Sequence, residues 1–175
     1  MRRALLLPVL LISALLGGAG TAQAEPATPS AQPPATAVPL LTLTAIPNGW
    51  QTRVDLRPEL QVYADGRAVR VPDAIAANRA PDATPREVEG TVPADVLKAA
   101  VSETAELAKL DLGMPSVSDQ GSRIIDVMPA QDAEAVHAIV YAPGFTDGLN
   151  DDQKKARDRF DRLYRTVIDA FEEKR

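Results

Sequence analysis

The spacing of apolar residues changes period along this chain, and that change limits the folds open to it. Leu40-Leu41-Thr42-Leu43-Thr44-Ala45-Ile46, Leu60-Gln61-Val62-Tyr63-Ala64 and Arg67-Ala68-Val69-Arg70-Val71 are strand candidates, rich in β-formers or alternating. From Pro93 to Leu110 the apolar positions become Val96, Leu97, Ala100, Val101, Leu107 and Ala108, with Thr104 completing the stripe. That is one face of an amphipathic helix. Strand patterns return at Arg123–Met128 and Ala135–Ala142, and a second helical stripe runs through Ala156, Phe160, Leu163, Tyr164, Val167, Ile168 and Phe171. This succession predicts an α+β domain. An antiparallel sheet of two or more hairpins would carry two amphipathic helices packed on one face, in the order ββ(β)αββα.

Local chemistry sharpens the pattern. Asp65-Gly66 between two strand candidates predicts a hairpin with a type I′ turn, whose two central residues both need positive φ. Pro129-Ala130-Gln131-Asp132 joins a second hairpin. Glu87–Val92 is a further strand candidate, and residues 72–86, with Pro72, Pro81 and Pro85, read as an irregular excursion. Thr91 is the expected N-cap of the first helix, with Pro93 in its first turn. Asn150 and Gln153 fit a capping box on the last helix. The other face of that helix carries Lys154, Lys155, Arg157, Asp158, Arg159, Asp161, Arg162 and Arg165, which reads as a solvated mixed-charge surface.

The first residues read as an export signal. Arg2-Arg3 is a basic start, Ala4–Leu16 an apolar run of 13 residues, and Ala22-Gln23-Ala24 an A-x-A cleavage site. Cleavage is expected between Ala24 and Glu25. The apolar run falls short of the ~18–20 residues that span a bilayer. Arg2-Arg3 lacks the flanking residues of a twin-arginine signal, so the general secretory route is expected. A lipoprotein needs a cysteine at the cleavage point, and the chain has none. The expected product is secreted, free of the membrane once residues 1–24 are removed, and monomeric. Residues 25–39 hold five of the 15 prolines and read as a flexible leader, leaving 40–175 as a single domain.

Composition narrows the chemistry. With no cysteine there is no disulfide framework, thiolate zinc site, iron–sulfur cluster or cysteine nucleophile. Two arginines leave with the signal, so the net charge moves from −5 to −7. That acidity argues against nucleic acid as a partner. No phosphate-cradling glycine loop, zinc spacing or dinucleotide fingerprint occurs, so no cofactor is expected.

Few residues remain as candidates. His137 is the only histidine and lies in a predicted strand, sharing a face with Ala135, Ile139 and Tyr141. As a general base it would need a nucleophile, and Ser102, Ser116, Ser118 and Ser122 sit in no recognisable nucleophile context. A structural or surface histidine is therefore expected. Asp147, Asn150, Asp151 and Asp152 could offer hard oxygen ligands to calcium. Their spacing is not that of an EF-hand, and acids at a helix start are explained by its dipole. Trp50, the only tryptophan, is a speculative binding residue or an edge plug.

The hairpin Pro58–Arg67, the turn Gly90-Thr91-Val92-Pro93 with its helix, and Val140-Tyr141-Ala142 before a terminal helix with Arg157 and Phe160 resemble a broad group of actinobacterial secreted proteins and lipoproteins. The likeness spans Leu56 to Phe171. It implies export but no defined activity, and it assigns no catalytic residues. The chain departs from the group in lacking a lipoprotein cysteine and in carrying the insertion Pro72–Pro85. The expected function is that of a small secreted, non-enzymatic domain that binds or modulates a protein or envelope component. The alternatives are an exported hydrolase using carboxylates such as Asp119, Asp126 and Asp147, and a carrier of a small apolar ligand.

Overall fold

Alternating segments become strands and helically spaced segments become helices in a computed structural model that describes residues 38–48, 55–80, 82–129 and 133–175. The elements are β1 (Leu41–Ile46), β2 (Leu60–Val62), β3 (Arg67–Arg70), β4 (Val88–Thr91), α1 (Ala94–Leu107), β5 (Ser122–Val127), β6 (Val136–Tyr141), α2 (Asp151–Asp169) and β7 (Glu172–Glu173). The class is α+β. Seven antiparallel strands form one sheet in the order β6-β5-β1-β2-β3-β4-β7, with two helices. Along the chain the order is ββββαββαβ, longer than the expected ββ(β)αββα. β4 falls within the expected strand Glu87–Val92, and β7 lies outside every strand candidate because two residues are too few to show a period.

β1 lies inside the sheet and joins its two halves. It pairs with β5 over six positions, from Leu41↔Val127 to Ile46↔Ser122, and with β2 from Leu41↔Val62 to Leu43↔Leu60. The expected hairpins β2–β3 and β5–β6 flank it. Strand alternation turns Leu41, Leu43, Leu60, Val62, Ile125, Val127, Ala138 and Val140 toward one core. There they join Leu97, Ala100 and Leu107 of α1 and Phe160, Tyr164 and Val167 of α2. Each large apolar side chain in that cluster contributes on the order of 1.5–3 kcal/mol. Thr104 completes the α1 stripe as expected. It is fully buried, and its hydroxyl donates to the Ala100 carbonyl at 2.7 Å, so no polar atom is stranded.

Three local expectations are corrected. The β2–β3 turn is not type I′. Only Gly66 has positive φ (83°), and its N–H donates to the Tyr63 carbonyl at 2.9 Å while Tyr63 N–H donates to Arg67 at 2.8 Å. This is a turn closed by a glycine bulge. Asp65 is held by the Arg67 backbone and guanidinium N–H groups at 3.1 and 2.7 Å. Thr91 does not cap α1, because it is the last residue of β4; Pro93 is the N-cap and offers no side-chain bond. α1 ends at Leu107, and residues to Leu110 continue only as turns. By contrast, the capping box of α2 is present: Asn150 and Gln153 exchange backbone-to-side-chain bonds, both at 2.9 Å.

The charged face of α2 is not wholly exposed. Arg157 is not solvated: it is 5% exposed. It stands one residue from Ala156, three from Phe160 and seven from Tyr164, which places it on the apolar stripe. Its Nη1 donates to the Leu112 carbonyl at 3.1 Å, and its Nη2 to those of Tyr141 and Ala142 at 2.6 and 2.8 Å. Burial pushes its pKa down from the ordinary guanidinium value. In the irregular excursion Arg79 does similar work. It pairs with Asp55 and donates to the carbonyls of Asp73 and Ala83 at 3.1 and 3.2 Å. Among the described residues no helix is long and apolar enough to cross a membrane.

Candidate functional site

Strand register carries the only histidine to the sheet face opposite the core. In β6, Ala138 and Val140 are buried while His137 and Ile139 are exposed. Asp126 is paired with His137 on one side and Thr42 on the other, so the three form a row across β1, β5 and β6. A carboxylate only accepts, so His137 Nδ1–H donates to Asp126 Oδ1, at 2.6 Å. The Thr42 hydroxyl donates to the other oxygen of the same carboxylate at 3.3 Å.

The order of these groups decides their chemistry. In a nucleophilic triad the imidazole stands between hydroxyl and acid, so that it can take the hydroxyl proton. Here the acid stands between hydroxyl and imidazole. The Thr42 hydroxyl and the His137 Nδ1 each bond Asp126, and neither is aimed to activate the other. The row is a polar cross-strand ladder of the kind that stabilises sheet surfaces.

Beside it runs an apolar row. Thr44, Ile124 and Ile139 are opposite one another on the same face, and Ile46, Ser122 and Tyr141 form the next row along. Ile139 is 53% exposed. The Tyr141 hydroxyl accepts from the Gln120 N–H at 3.1 Å and donates to the Val117 carbonyl at 3.3 Å, which ties the face to the loop before β5.

The other candidate hydrolase acids lie in loops rather than on the sheet face. Asp119 is in the loop before β5, with φ of 56°. Asp147 is in the loop before α2, where its carbonyl accepts from the Ser116 N–H at 2.9 Å. Two depressions, of about 240 and 260 Å³, are lined by neither of these nor by Asp126. The first lies between Leu110-Asp111 and the start of α2; the second lies among Ala45–Asn48, Gln120–Arg123, Ala142, Pro143 and Ile75. Asn150 is engaged in its capping box, and Asp152 and Asp151 face Lys155 and Lys154 at 3.4 and 3.9 Å. Among the described residues no three acids or histidines gather to hold a metal ion. Trp50 and the cleavage residues Ala22, Ala24 and Glu25 lie outside the described residues.

One polar cluster was not foreseen. The buried Tyr164 hydroxyl donates to the Glu59 carboxylate across the core. Burial first, and then the Glu59 charge and hydrogen bond, push the phenol well above its ordinary range. The Arg123 guanidinium sits 5.2 Å from the Tyr164 ring centre and pairs with Asp161 at 3.1 Å. Glu59 precedes a three-residue strand, so nothing in its neighbours announces a buried partner. Compared with models of protein families, with curated proteins and with solved structures, the chain has no match.

Proposed function

We propose that the protein is an exported, non-enzymatic domain that binds a protein of the cell envelope. The observation that carries this reading is the outward face of β1, β5 and β6. There Ile46, Ile124 and Ile139 lie beside the polar row Thr42–Asp126–His137. In this reading both helices cover the opposite face, and the isoleucine face is the contact surface. An apolar contact flanked by a carboxylate suits a partner that presents an apolar residue next to a basic group. The acidic balance of the chain, −7 after signal removal, favours encounter with such a partner. Export rests on the basic, apolar and A-x-A segments of residues 1–24 and on the resemblance to secreted actinobacterial proteins.

The experiment is a paired one. The purified protein should leave ester, peptide and glycosidic substrates intact. It should retain an envelope protein that the Ile124→Asp variant, with unchanged melting, fails to retain. Turnover abolished by one substitution would overturn the reading, as would retention that ignores Ile124.

A further inference from the structure

The two ends of the sheet are built differently. One end is β7, the two-residue strand Glu172-Glu173, short and doubly acidic. The other is β6, six residues long with the sequence Val-His-Ala-Ile-Val-Tyr. Sheets protect open edges with brevity, charge, proline or bulges. β7 has the first two of these devices. β6 has no acid, lysine or proline.

The free backbone groups of β6 follow from its ladder. Ala142 N–H donates to Gly121, the residue directly opposite, at 2.8 Å, and Met128 N–H donates to Leu40 on the β1 side at 2.8 Å. Antiparallel bonding alternates along a strand. Val136, Ala138 and Val140 therefore bond to β5, and the N–H and C=O groups of His137, Ile139 and Tyr141 point off the sheet. Arg157 takes the Tyr141 carbonyl at 2.6 Å. Among the described residues no segment pairs along the edge at His137 and Ile139.

We propose that this edge pairs antiparallel with β6 of a second copy of the chain, about a twofold axis at Ala138. That register sets His137 against Ile139 of the second copy, and Ile139 against its His137. Each pair exchanges two N–H···O bonds, so the outward groups of His137 and Ile139 in both copies are satisfied together. On the core side the smallest side chain of the strand, Ala138, meets its own copy. On the outer side an imidazole lies beside an isoleucine and no like charges meet. The two isoleucine faces become continuous. A contact this small gives a weak, concentration-dependent dimer, below the size of a standard interface.

Sedimentation of the purified protein over a wide concentration range tests this. Wild type should move from monomer to dimer. Ile139→Pro removes an N–H that faces away from β5, and Ile139→Lys adds an edge charge at an exposed site. Both should weaken association at least ~10-fold, a change of about 1.4 kcal/mol. Melting should stay unchanged for Ile139→Lys, which carries the test if the proline variant loses its fold. A wild type that stays monomeric throughout would overturn the proposal, as would a dimer that Ile139→Lys leaves intact. Ile124→Asp, on an interior strand, leaves this edge untouched, so failure here and failure of the envelope-binding reading are separable.

Discussion

Arg157 donates from Nη2 to the carbonyl oxygen of Ala142 at 2.8 Å, and Ala142 holds a φ of 49°. The guanidinium thus fixes a backbone conformation that a side chain disfavours. With its bond to Leu112, the same group ties α2 to the segment after α1 and to the end of β6. Replacing Arg157 by Met should leave buried carbonyls unpartnered and cost on the order of 3 kcal/mol. Lys should recover little, because a point charge cannot fork to both segments. Urea unfolding of the two variants against wild type checks this; a loss under ~1 kcal/mol would contradict it.

Ala142→Gly should act in the opposite direction. Glycine relieves the left-handed strain, worth ~1–2 kcal/mol, and gives back part of it as added freedom in the unfolded chain. The variant should be more stable by up to about 1 kcal/mol, read from the same unfolding curves. A destabilised Ala142→Gly would show that the buried methyl it removes, worth ~0.8 kcal/mol, outweighs the strain.

These two residues also mark where the sequence could and could not be read. The strands and helices follow from local period, so β1, β6 and α1 fall inside segments that pattern alone marks out, and β5 and α2 overlap theirs. The outward position of His137 follows from alternation in the same way. Arg157 was legible in principle, since its spacing from Phe160 and Tyr164 places it on the buried stripe. Its charge pointed to solvent, but four backbone carbonyls within reach outweigh that preference. The Asp126–His137 contact depends on register between strands and the Glu59–Tyr164 contact on packing across the core, and single-chain periodicity carries neither. β7 forms only because α2 returns the tail to β4, with Gly90↔Glu173 and Thr91↔Glu172 in register.

Gly90 is the position that admits this tail. A Cβ there would stand 2.2 Å from the Glu172 carbonyl oxygen and 2.6 Å from the Phe171 ring. Gly90→Ala should therefore detach β7 and expose Phe171 without unfolding the sheet. Faster amide hydrogen exchange confined to residues 171–175 and β4 would be the signature. Unchanged exchange there would contradict the account.

Acid should loosen the junction between α1 and α2. The Asp111 carboxylate accepts from Gln153 Nε2 at 2.8 Å and from the Gly113 N–H at 2.9 Å, which holds its pKa below the ordinary carboxylate value. A depressed folded pKa means that the stabilising contribution is present above the unfolded value. It is lost as pH falls through that value and on toward the folded one. Melting temperature followed from neutral to acid pH should fall less steeply in Asp111→Asn than in wild type.

Alkali should act through Tyr164, with the sign set by its raised phenol pKa. Both states keep the proton at neutral pH. Above the ordinary tyrosine value the unfolded chain ionises first, so stability drops as pH rises past ~10. Tyr164→Phe should flatten that alkaline limb, and tyrosinate absorbance in wild type should show one phenol that titrates only on unfolding.

The most direct test of the binding reading is site-specific photo-crosslinking in cells that produce the protein. One photoreactive residue would replace Ile124 on the outward sheet face and, in a separate chain, Arg162 on the exposed side of α2. The account predicts an adduct of one defined mass to an envelope protein from position 124 and none from position 162. Equal labelling from both positions, or labelling from 162 alone, would contradict it.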